Sequence, residues 1–385
     1  MVPPVNTPRP KITVLIPGLG VGGAELQLVH AIPFLVHYYD VHLVLLSDEE
    51  ALLAQVSLSP DRVSVLKIGR AHIDRSSLWR GIRAAWYLSR TLGRHQIRLL
   101  VAHLPLAHWV GRWVAFFSKV SGWTIALVTH HHSIYEAPYT LSGKLTWQLL
   151  RFSSVMDTDT ISVSRAVAAT LPRVQVATKG RVIYNFVVDD RSSKENPFGR
   201  SGFKVVLAGR VEPVKGQTFF LKAIAQQLSE EDLVRPSLHI WVLGEGSDLN
   251  ALQQWVKNQG WSDRVTFLGT VDHAQLLNFL AYADLVVVPS LQEGLGNVAI
   301  EAIMLGCNVL ASDAGGLPEV VLPGRTGFVF TAGDARSAAD RFRQILNQGL
   351  GVDSEYQRSH YIQHFTVMAH VDGLRECFDS ILRHG

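Results

Sequence analysis

The chain has 385 residues, of which 47% are hydrophobic and 18% are charged, and its formal net charge is +3. This length and composition exclude a disordered chain and predict two globular domains with large cores. Two cysteines, Cys307 and Cys377, exclude a disulfide-rich secreted scaffold. They indicate a reducing compartment, so the expected location is the cytoplasm.

Apolar runs alternate with helical patterns in the first half of the chain, which predicts a parallel sheet with helices on both faces. Residues 1–186 are therefore assigned to an N-terminal domain. Its predicted strands are Lys11–Ile16, Val41–Leu46, Val63–Ile68, Leu99–Ala102, Thr124–Thr129, Thr160–Val163 and Val182–Ile183. Its predicted helices are Glu25–Val36, Ser76–Leu92 and Ala107–Val120.

Charge is distributed unevenly along the chain. Residues 1–185 hold 19 basic and 10 acidic residues, a net charge of +9, whereas residues 186–385 hold 17 and 23, a net charge of −6. Residues 62–119 contain 11 basic residues and one acidic residue, Asp74, interleaved with six Trp and Phe residues. This pattern is typical of contact with an anionic surface, here the inner face of the cell membrane. The alternative is a solvated helix face above buried aromatic residues, and no nucleic-acid partner is expected.

A polar segment divides the chain. Residues 187–203 are rich in charged residues, Ser, Pro and Gly and are predicted to form a linker. A second α/β series over residues 204–365 forms the predicted C-terminal domain. Its predicted strands are Lys204–Ala208, His239–Leu243, Val265–Leu268, Leu285–Val288 and Asn308–Ala311. Residues 366–385 belong to a last helical pattern, Phe365–Ile381.

Two carboxylates flank a glycine-rich turn in the second half. Glu293 follows the strand Leu285–Val288, and Glu301 lies in a predicted helix, Val298–Leu305. Open α/β sheets bind ligands at the carboxyl ends of their strands, and a helix N-terminus favours a phosphate. We therefore expect the carboxylates to accept hydrogen bonds from sugar hydroxyls. The alternative is a purely structural pair, a surface Glu and a Glu at a helix start. The residues expected to contact the ligand between them are Gly294, Leu295, Gly296, Asn297 and Val298.

Two cations follow another predicted strand. Arg210 and Lys215 come after Lys204–Ala208 and have a glycine on either side, Gly209 and Gly216. Glycine lets the backbone approach a ligand closely. A guanidinium fork and an ammonium charge together suit a diphosphate. The alternative is a pair of solvated loop cations.

The stretch from Glu293 to Glu301 resembles the E-x7-E motif of the family 4 glycosyltransferases, which are retaining enzymes of the GT-B type. Four further segments match that family in place and order. They are Gly22-Gly23-Ala24-Glu25, the Gly209–Gly216 loop with its G-R-x4-K-G pattern, Leu243-Gly244-Glu245-Gly246 and Gly315-Gly316-Leu317-Pro318-Glu319. Each glycine motif alone is a weak signal, whereas five in one order are specific. The resemblance implies a GT-B fold, with two Rossmann-like parallel-sheet domains facing a central cleft and a C-terminal helix returning toward the N-terminal domain.

The resemblance also implies roles for these residues. Arg210 and Lys215 would bind the diphosphate of a UDP- or GDP-sugar and neutralise the departing nucleoside diphosphate. Glu293 would hold hydroxyls of the donor hexose, and Glu301 those of the ribose. Further implied donor-binding residues are Gly22, Gly23, Gly244 and Gly246. Because the cations replace a metal, neither a metal nor a cofactor is expected.

The implied reaction is hexosyl transfer, with retention, to a hydroxyl of a saccharide or lipid-linked acceptor on the N-terminal domain. This fits the synthesis of surface polysaccharides or glycolipids. The chain departs from the family pattern at Gly296, where Pro is frequent, and at Cys307-Asn308-Val309, where G-x-P-V is expected. Neither change removes a charged contact.

Three consecutive histidines, His130, His131 and His132, follow the predicted strand Thr124–Thr129. Successive strand residues point to opposite faces, so three in a row do not predict a metal cluster. The family commonly has a His two positions after a Thr at this place. This selects His131, with His132 as the second choice, for a contact to the donor sugar near the reacting carbon. The alternative is a structural histidine with satisfied hydrogen bonds.

Other functions fit parts of the sequence. Gly18, Gly20 and Gly23 fit the dinucleotide fingerprint G-x-G-x-x-G, with Asp48 as its acidic partner. A dehydrogenase, however, has no need of the E-x7-E and Arg/Lys elements. A sugar-nucleotide epimerase on the same scaffold and a non-catalytic sugar-nucleotide-binding protein remain as alternatives.

Overall fold

The computed structural model describes residues 8–69, 75–135, 148–171, 179–190, 195–199, 202–229, 237–349 and 351–384. The chain divides into two compact units. The first runs to Tyr184 and includes the residues from His370 onward, and the second runs from Asn185 to Ala369. Each contains one parallel sheet, which confirms the predicted class of two parallel-sheet α/β domains.

The first unit contains a seven-stranded sheet in the order β3-β2-β1-β4-β5-β6-β7. Its strands are β1 (Lys11–Ile16), β2 (Asp40–Leu45), β3 (Val63–Val65), β4 (Leu99–His103), β5 (Ala126–His131), β6 (Asp159–Ser162) and β7 (Lys179–Val182). Its helices in chain order are α1 (Gly23–Leu35), α2 (Arg75–Arg94), α3 (Leu104–Val120) and α4 (Arg165–Ala169). Every residue of β4 is buried, as expected for a central parallel strand covered on both faces.

Helices α2 and α3 cover one face of this sheet. Leu88 of α2 and Val110 and Val114 of α3 share a buried cluster with Leu100 and Leu127 of the strands. Strand β5 ends two residues later than predicted, so His130 and His131 lie inside it rather than after it. Within the described ranges, no helix combines the length and the apolar content that crossing a bilayer requires.

The second unit contains a six-stranded sheet in the order β10-β9-β8-β11-β12-β13. Its strands are β8 (Lys204–Ala208), β9 (His239–Leu243), β10 (Val265–Gly269), β11 (Leu285–Val288), β12 (Val309–Ser312) and β13 (Phe328–Phe330). Its helices are α5 (Gln217–Gln227), α6 (Leu249–Asn258), α7 (His273–Ala281), α8 (Asn297–Met304), α9 (Leu317–Val320), α10 (Ala335–Gln348) and α11 (Ser354–His364). Strand β13, a short edge strand, was not predicted.

In both sheets the strand order reverses at one point. The reversal lies between β1 and β4 in the first sheet and between β8 and β11 in the second. Ligands of open α/β sheets bind outside the carboxyl ends of the strands at such a point. In the second unit this places the loop after β8, residues 209–216, beside the loop after β11, residues 289–296.

The described part of the predicted linker packs on the second unit. The N–H of Val187 donates to the carbonyl of Phe365 at 3.0 Å, and the hydroxyl of Tyr361 donates to the carbonyl of Val187 at 2.8 Å. The ring of Phe198 is buried against that of Trp241, with centroids 4.4 Å apart. These contacts fix both ends of the described segment.

The last predicted helical pattern, Phe365–Ile381, forms one helix, α12 (Val367–His384), which begins two residues later and ends three residues later than predicted. Helix α11 ends just before it, at His364. The hydroxyl of Thr366 accepts a hydrogen bond from the N–H of Ala369 at 3.3 Å. This is the bond of an N-cap, which explains why the helix begins at Val367 and not at Phe365.

Candidate functional site

The loops after β8 and β11 are in direct backbone contact. Lys215 ends a short 3₁₀ turn, Pro213–Lys215, and Gly216 follows with a left-handed φ of +71°. A Cβ atom built on Gly216 would lie 1.9 Å from the carbonyl oxygen of Pro289. The N–H of Leu291 donates to the carbonyl of Val214 at 2.8 Å. Glycine is therefore required at position 216 both by its backbone conformation and by the lack of space.

An ion pair joins the two loops. The Lys215 Nζ atom lies 2.8 Å from Oε2 of Glu293, and the hydroxyl of Ser290 donates to the same oxygen at 3.0 Å. The side chains of Lys215 and Glu293 are 25% and 15% exposed. The structure thus brings together one predicted cation and one predicted carboxylate, oriented by a serine that sequence reasoning had not selected.

Arg210 lies on the same loop as Lys215 and is much more exposed. Its side chain is 69% accessible, and its Nη1 atom donates to Oε1 of Glu212 at 2.8 Å. Surface pairs of this kind contribute little to stability. Arg210 can therefore exchange its partner for an anionic ligand at small cost.

Helix α8 begins at Asn297, directly after Gly296. Gly296 has a φ of +101°, which the ring of a proline excludes. The loop thus has a conformation that the family's frequent proline could not adopt. Leu295 is buried, so its side chain packs in the core of the unit. The amide of Asn185 donates to Oδ1 of Asn297 at 3.3 Å, and Val298 lies in the first turn of the helix, where N–H groups lack intrahelical acceptors.

Glu301 is the fifth residue of α8 and is almost buried. Its Oε1 atom lies 3.1 Å from Nε2 of His273, the first residue of α7. Its Oε2 atom is buried and has no hydrogen-bond partner among the described residues. A buried carboxylate oxygen without a donor is the acceptor that a ligand hydroxyl would satisfy. The sequence signalled a helix start at His273, through the Asp272 cap, but not a contact with Glu301.

Close packing between loops explains why positions 244 and 246 are glycines. A Cβ atom at Gly244 would clash with the carbonyl of Gly209, and one at Gly246 with the carbonyl of Val211. The loop after β9 thus runs against the loop after β8. Contact of these two glycines with a nucleotide stays a prediction.

Three of the predicted site residues lie in the first unit. Gly22 is the N-cap residue of α1 and Gly23 is its first residue, whereas His131 is the last residue of β5. The carboxylate of Glu25 folds over Gly22, and burial raises the pKa of Glu25. All other predicted site residues lie in the second unit.

His131 is buried, and both ring nitrogens have partners within the first unit. Its Nε2 atom lies 3.1 Å from the hydroxyl of Thr129, and its Nδ1 atom lies 3.0 Å from that of Tyr135. The Thr129 hydroxyl donates to Oδ2 of Asp157 at 3.2 Å, so it accepts from His131. This assigns the His131 proton to Nε2 and makes the Tyr135 hydroxyl the donor to Nδ1.

A buried ion pair lies beneath this network. Arg112 donates from Nε and Nη2 to the two carboxylate oxygens of Asp157, at 2.8 and 2.7 Å. Burial raises the pKa of Asp157, and the guanidinium of Arg112 opposes this shift. Arg112 interrupts an apolar helix, which was the available sign that a carboxylate partner must exist. The identity of that partner could not be read from the sequence.

His130 and His132 lie on the other face of the strand from His131, beside His103 of β4. The ring centroids of His103 are 4.8 Å from those of His130 and 5.4 Å from those of His132. The predicted alternation holds, because His131 is separated from His130 and His132, but the sequence argument did not consider that the neighbouring strand supplies a third histidine, His103. Of the three, His132 is the one that is partly exposed.

Comparison with known families identifies both halves of the chain. The family described as Glycosyltransferase Family 4 matches residues 21–191, and the family described as Glycosyl transferases group 1 matches residues 188–362. The two matches together extend over most of the chain.

Relatives with assigned functions match parts of the chain. A D-inositol 3-phosphate glycosyltransferase of Streptomyces avermitilis is 38% identical over 147 residues, which are 37% of this chain and 32% of that protein. The enzyme of the same name from Nocardia farcinica is 28% identical over 278 residues, 66% of this chain and 61% of that protein. An N-acetyl-alpha-D-glucosaminyl L-malate synthase of Bacillus anthracis is 26% identical over 66% of each chain. The matched regions therefore span about a third to two thirds of these relatives.

Solved structures show the same fold. HepE of Anabaena in complex with UDP and glucose superposes with a TM-score of 0.76 at 22% identity, covering 97% of this chain and 100% of that one. Sucrose-phosphate synthase of Thermosynechococcus elongatus superposes with a TM-score of 0.77 at 19% identity, covering 98% and 100%. At these identities the similarity establishes the architecture and not the substrate.

Proposed function

Since this chain belongs to the family 4 glycosyltransferases, we propose that it transfers a hexosyl residue from a nucleotide sugar to an acceptor hydroxyl, with retention at the anomeric carbon. The second unit holds the donor, and the first unit holds the acceptor. The observation that carries the proposal is the Lys215–Glu293 pair at the strand reversal of the second sheet.

The charges of this site suit an activated sugar. Lys215 and the exposed Arg210 place two cations on one loop, and α8 begins on the adjacent loop. A helix N-terminus carries about half a positive charge, so the diphosphate is neutralised from two sides. The same groups stabilise the charge that grows on the departing nucleoside diphosphate. They take the part that a metal plays in other transferases.

The carboxylates bind hydroxyls. Glu293 is oriented by Lys215 and Ser290 and accepts hydrogen bonds from the donor hexose. Glu301 accepts from the ribose through its unpaired Oε2 atom. An analogue lacking the relevant hydroxyl leaves a buried oxygen unpaired, which makes such a contact discriminating.

Retention follows from attack on the face from which the leaving group departs. A phosphate oxygen of the leaving nucleoside diphosphate accepts the proton of the acceptor hydroxyl while the new glycosidic bond forms. His131 contacts the donor sugar near the reacting carbon in this proposal. Its ring is held as the Nε2–H tautomer by Thr129 and Tyr135.

The acceptor has two candidate classes. A saccharide or lipid-linked saccharide fits a role in surface polysaccharide or glycolipid synthesis. The relatives named for inositol 3-phosphate and malate instead favour a small anionic acceptor. An acceptor panel containing both classes decides between them.

A stripe on α2 supports contact with an anionic membrane from the cytoplasmic side. The stripe is defined as the exposed residues Trp79, Arg83, Trp86, Tyr87, Arg90 and Arg94. At about 100° per residue these six side chains fall within an arc of about 100°. The guanidinium of Arg90 lies 4.4 Å from the ring centroid of Trp86. Aromatic and basic residues on one helix face are typical of an interfacial helix.

Vesicle binding tests this contact. The wild-type protein is expected to sediment with anionic vesicles and not with zwitterionic ones, and binding should fall as salt screens the arginines. The Trp79→Ser/Trp86→Ser variant should bind more weakly, whereas Tyr282→Ser, which removes an exposed aromatic residue from the second unit, should bind normally. Equal vesicle binding by the two variants would exclude the stripe as the membrane-contacting surface.

A donor panel tests the transferase proposal. Nucleotide sugars that raise the melting temperature are first identified, because a ligand of the native state stabilises it. Slow release of nucleoside diphosphate, accelerated by an acceptor, supports the transferase. Formation of an epimer supports the epimerase, and binding with neither reaction supports a binding protein. If the donor binds Lys215→Ala with unchanged affinity, the proposal that it binds at Lys215 is refuted.

A further inference from the structure

Four histidines surround a small cavity in the first unit, away from the ring of His131. His103 ends β4, His130 lies in β5 directly opposite it in register, and His132 follows two residues later. His370 of α12 completes the group, with its ring centroid 6.1 Å from that of His130. The cavity has a volume of about 10 Å³, which is room for one water molecule or one ion.

The imidazoles of this group lack enough partners. Both ring nitrogens of His130 and the Nδ1 atom of His132 are buried without a hydrogen bond within the described ranges of the chain. The other walls of the cavity are mainly apolar, with Val14, Leu28 and Phe378 among them. A buried nitrogen without a hydrogen-bond partner destabilises the folded chain. A ligand that accepts lone pairs from several imidazoles at once would remove this cost.

The separations suit a metal ion. The Nδ1 atom of His103 and the Nε2 atom of His132 are 3.2 Å apart and share a hydrogen bond, which a bound metal would replace. Two imidazole nitrogens at about 2.0–2.1 Å from a tetrahedral zinc ion are about 3.3 Å apart. One ligand atom from each of His103, His130 and His132 lies within 4.8 Å of the others. Ring rotations that close the widest separation by about 1.5 Å complete the triad.

The fourth histidine has a partner of its own. The Nδ1 atom of His370 lies 2.7 Å from the carbonyl of Tyr184, a bond that orients this ring beside the triad.

We propose that His103, His130 and His132 form a mononuclear zinc site that ties β4 to β5, with His370 as an outer partner. Three neutral imidazoles with an open fourth position suit zinc among the divalent metals. In this proposal the zinc holds β4 and β5 together, and none of its three ligands is a residue proposed to bind the donor. It does not alter the proposal that glycosyl transfer proceeds without a metal.

The test uses the full chain without a histidine tag. Protein stripped with a chelator is titrated with Zn²⁺, and the melting temperature and bound zinc are measured. One zinc per chain and a higher melting temperature are expected. Stripped protein given Co²⁺ should show the visible absorption of a tetrahedral site. Absence of both bound zinc and the cobalt spectrum in the wild-type protein would overturn the proposal, whatever the variants do.

Variants locate the site. His132→Gln and His103→Asn should each lower zinc affinity at least tenfold. The control is His360→Gln/His364→Gln, which removes a second histidine pair whose ring centroids lie 5.1 Å apart on α11. This control should bind zinc as the wild type does. Loss of binding in the control alone would show an adventitious ion only, and would refute the triad.

Discussion

A methyl group at position 216 tests whether the two loops of the donor site must touch. In Gly216→Ala the new Cβ atom starts 1.9 Å from the Pro289 carbonyl oxygen, whereas real Cβ contacts are not closer than 3.0 Å. The loops must therefore separate by at least about 1.1 Å. Lys215 directly precedes position 216, so we expect its 2.8 Å contact with Glu293 to be disrupted. A misplacement of about 1 Å costs on the order of 10²-fold in rate.

The matched control is Gly260→Ala. Gly260 has a φ of +70°, against +71° for Gly216, but nothing lies within 4 Å of its built Cβ atom. The control carries only the left-handed penalty of about 1–2 kcal/mol. Gly216→Ala adds overpacking of about 1–3 kcal/mol. Each kcal/mol lowers the melting temperature of a domain of this size by about 2–4 °C.

The two variants are compared by thermal unfolding and by calorimetric titration with nucleoside diphosphate. We expect Gly216→Ala to unfold at a lower temperature than the control and to bind at least tenfold more weakly. If both variants match in melting temperature and affinity, the loops are not held together at this position. The ion-pair argument for the donor site then fails with them.

Three further substitutions test single contacts. Glu293→Gln should lower turnover more than about tenfold, since one charged contact is lost; unchanged turnover would remove this residue from the site. Arg210→Ala should weaken donor binding about tenfold or more in calorimetry without changing the melting temperature, and Arg336→Ala, another exposed arginine paired with a carboxylate, should leave binding unchanged. Thr129→Val should lower the melting temperature, at a cost of about 1–3 kcal/mol, because Asp157 loses a donor; an unaltered melting temperature would contradict the network.

The sequence predicted most of the second unit because its features have local physical causes. A glycine at a left-handed position, such as Gly216, and a cation beside it are visible in a single segment. Strands β8 and β9 were predicted at their observed bounds, because buried parallel strands are short apolar runs. Order along the chain then placed Glu293 after a strand and Glu301 within the following helix.

The contacts that complete each site were not predictable, since their partners are distant in sequence. His273 and Glu301 are separated by 28 residues, and Arg112 and Asp157 by 45. Nothing in one sequence selects such a partner, even where an arginine inside an apolar helix shows that a partner is required. Gly244 shows a different difficulty. It was assigned to ligand binding, but the close packing of its loop already explains why a glycine is present there.

Alternation along β5 places the histidines on two faces, and the register with the neighbouring strand then determines which residues they contact. A period of two places His131 on one face of β5 and His130 and His132 on the other, and this much was predicted. Which side chains lie beside each face depends on the neighbouring strand. Register pairs His130 with His103, whereas His131 meets Thr129 and Tyr135 instead. Three consecutive identical residues therefore enter two separate environments, and substitutions at His131 and His132 should be interpreted separately.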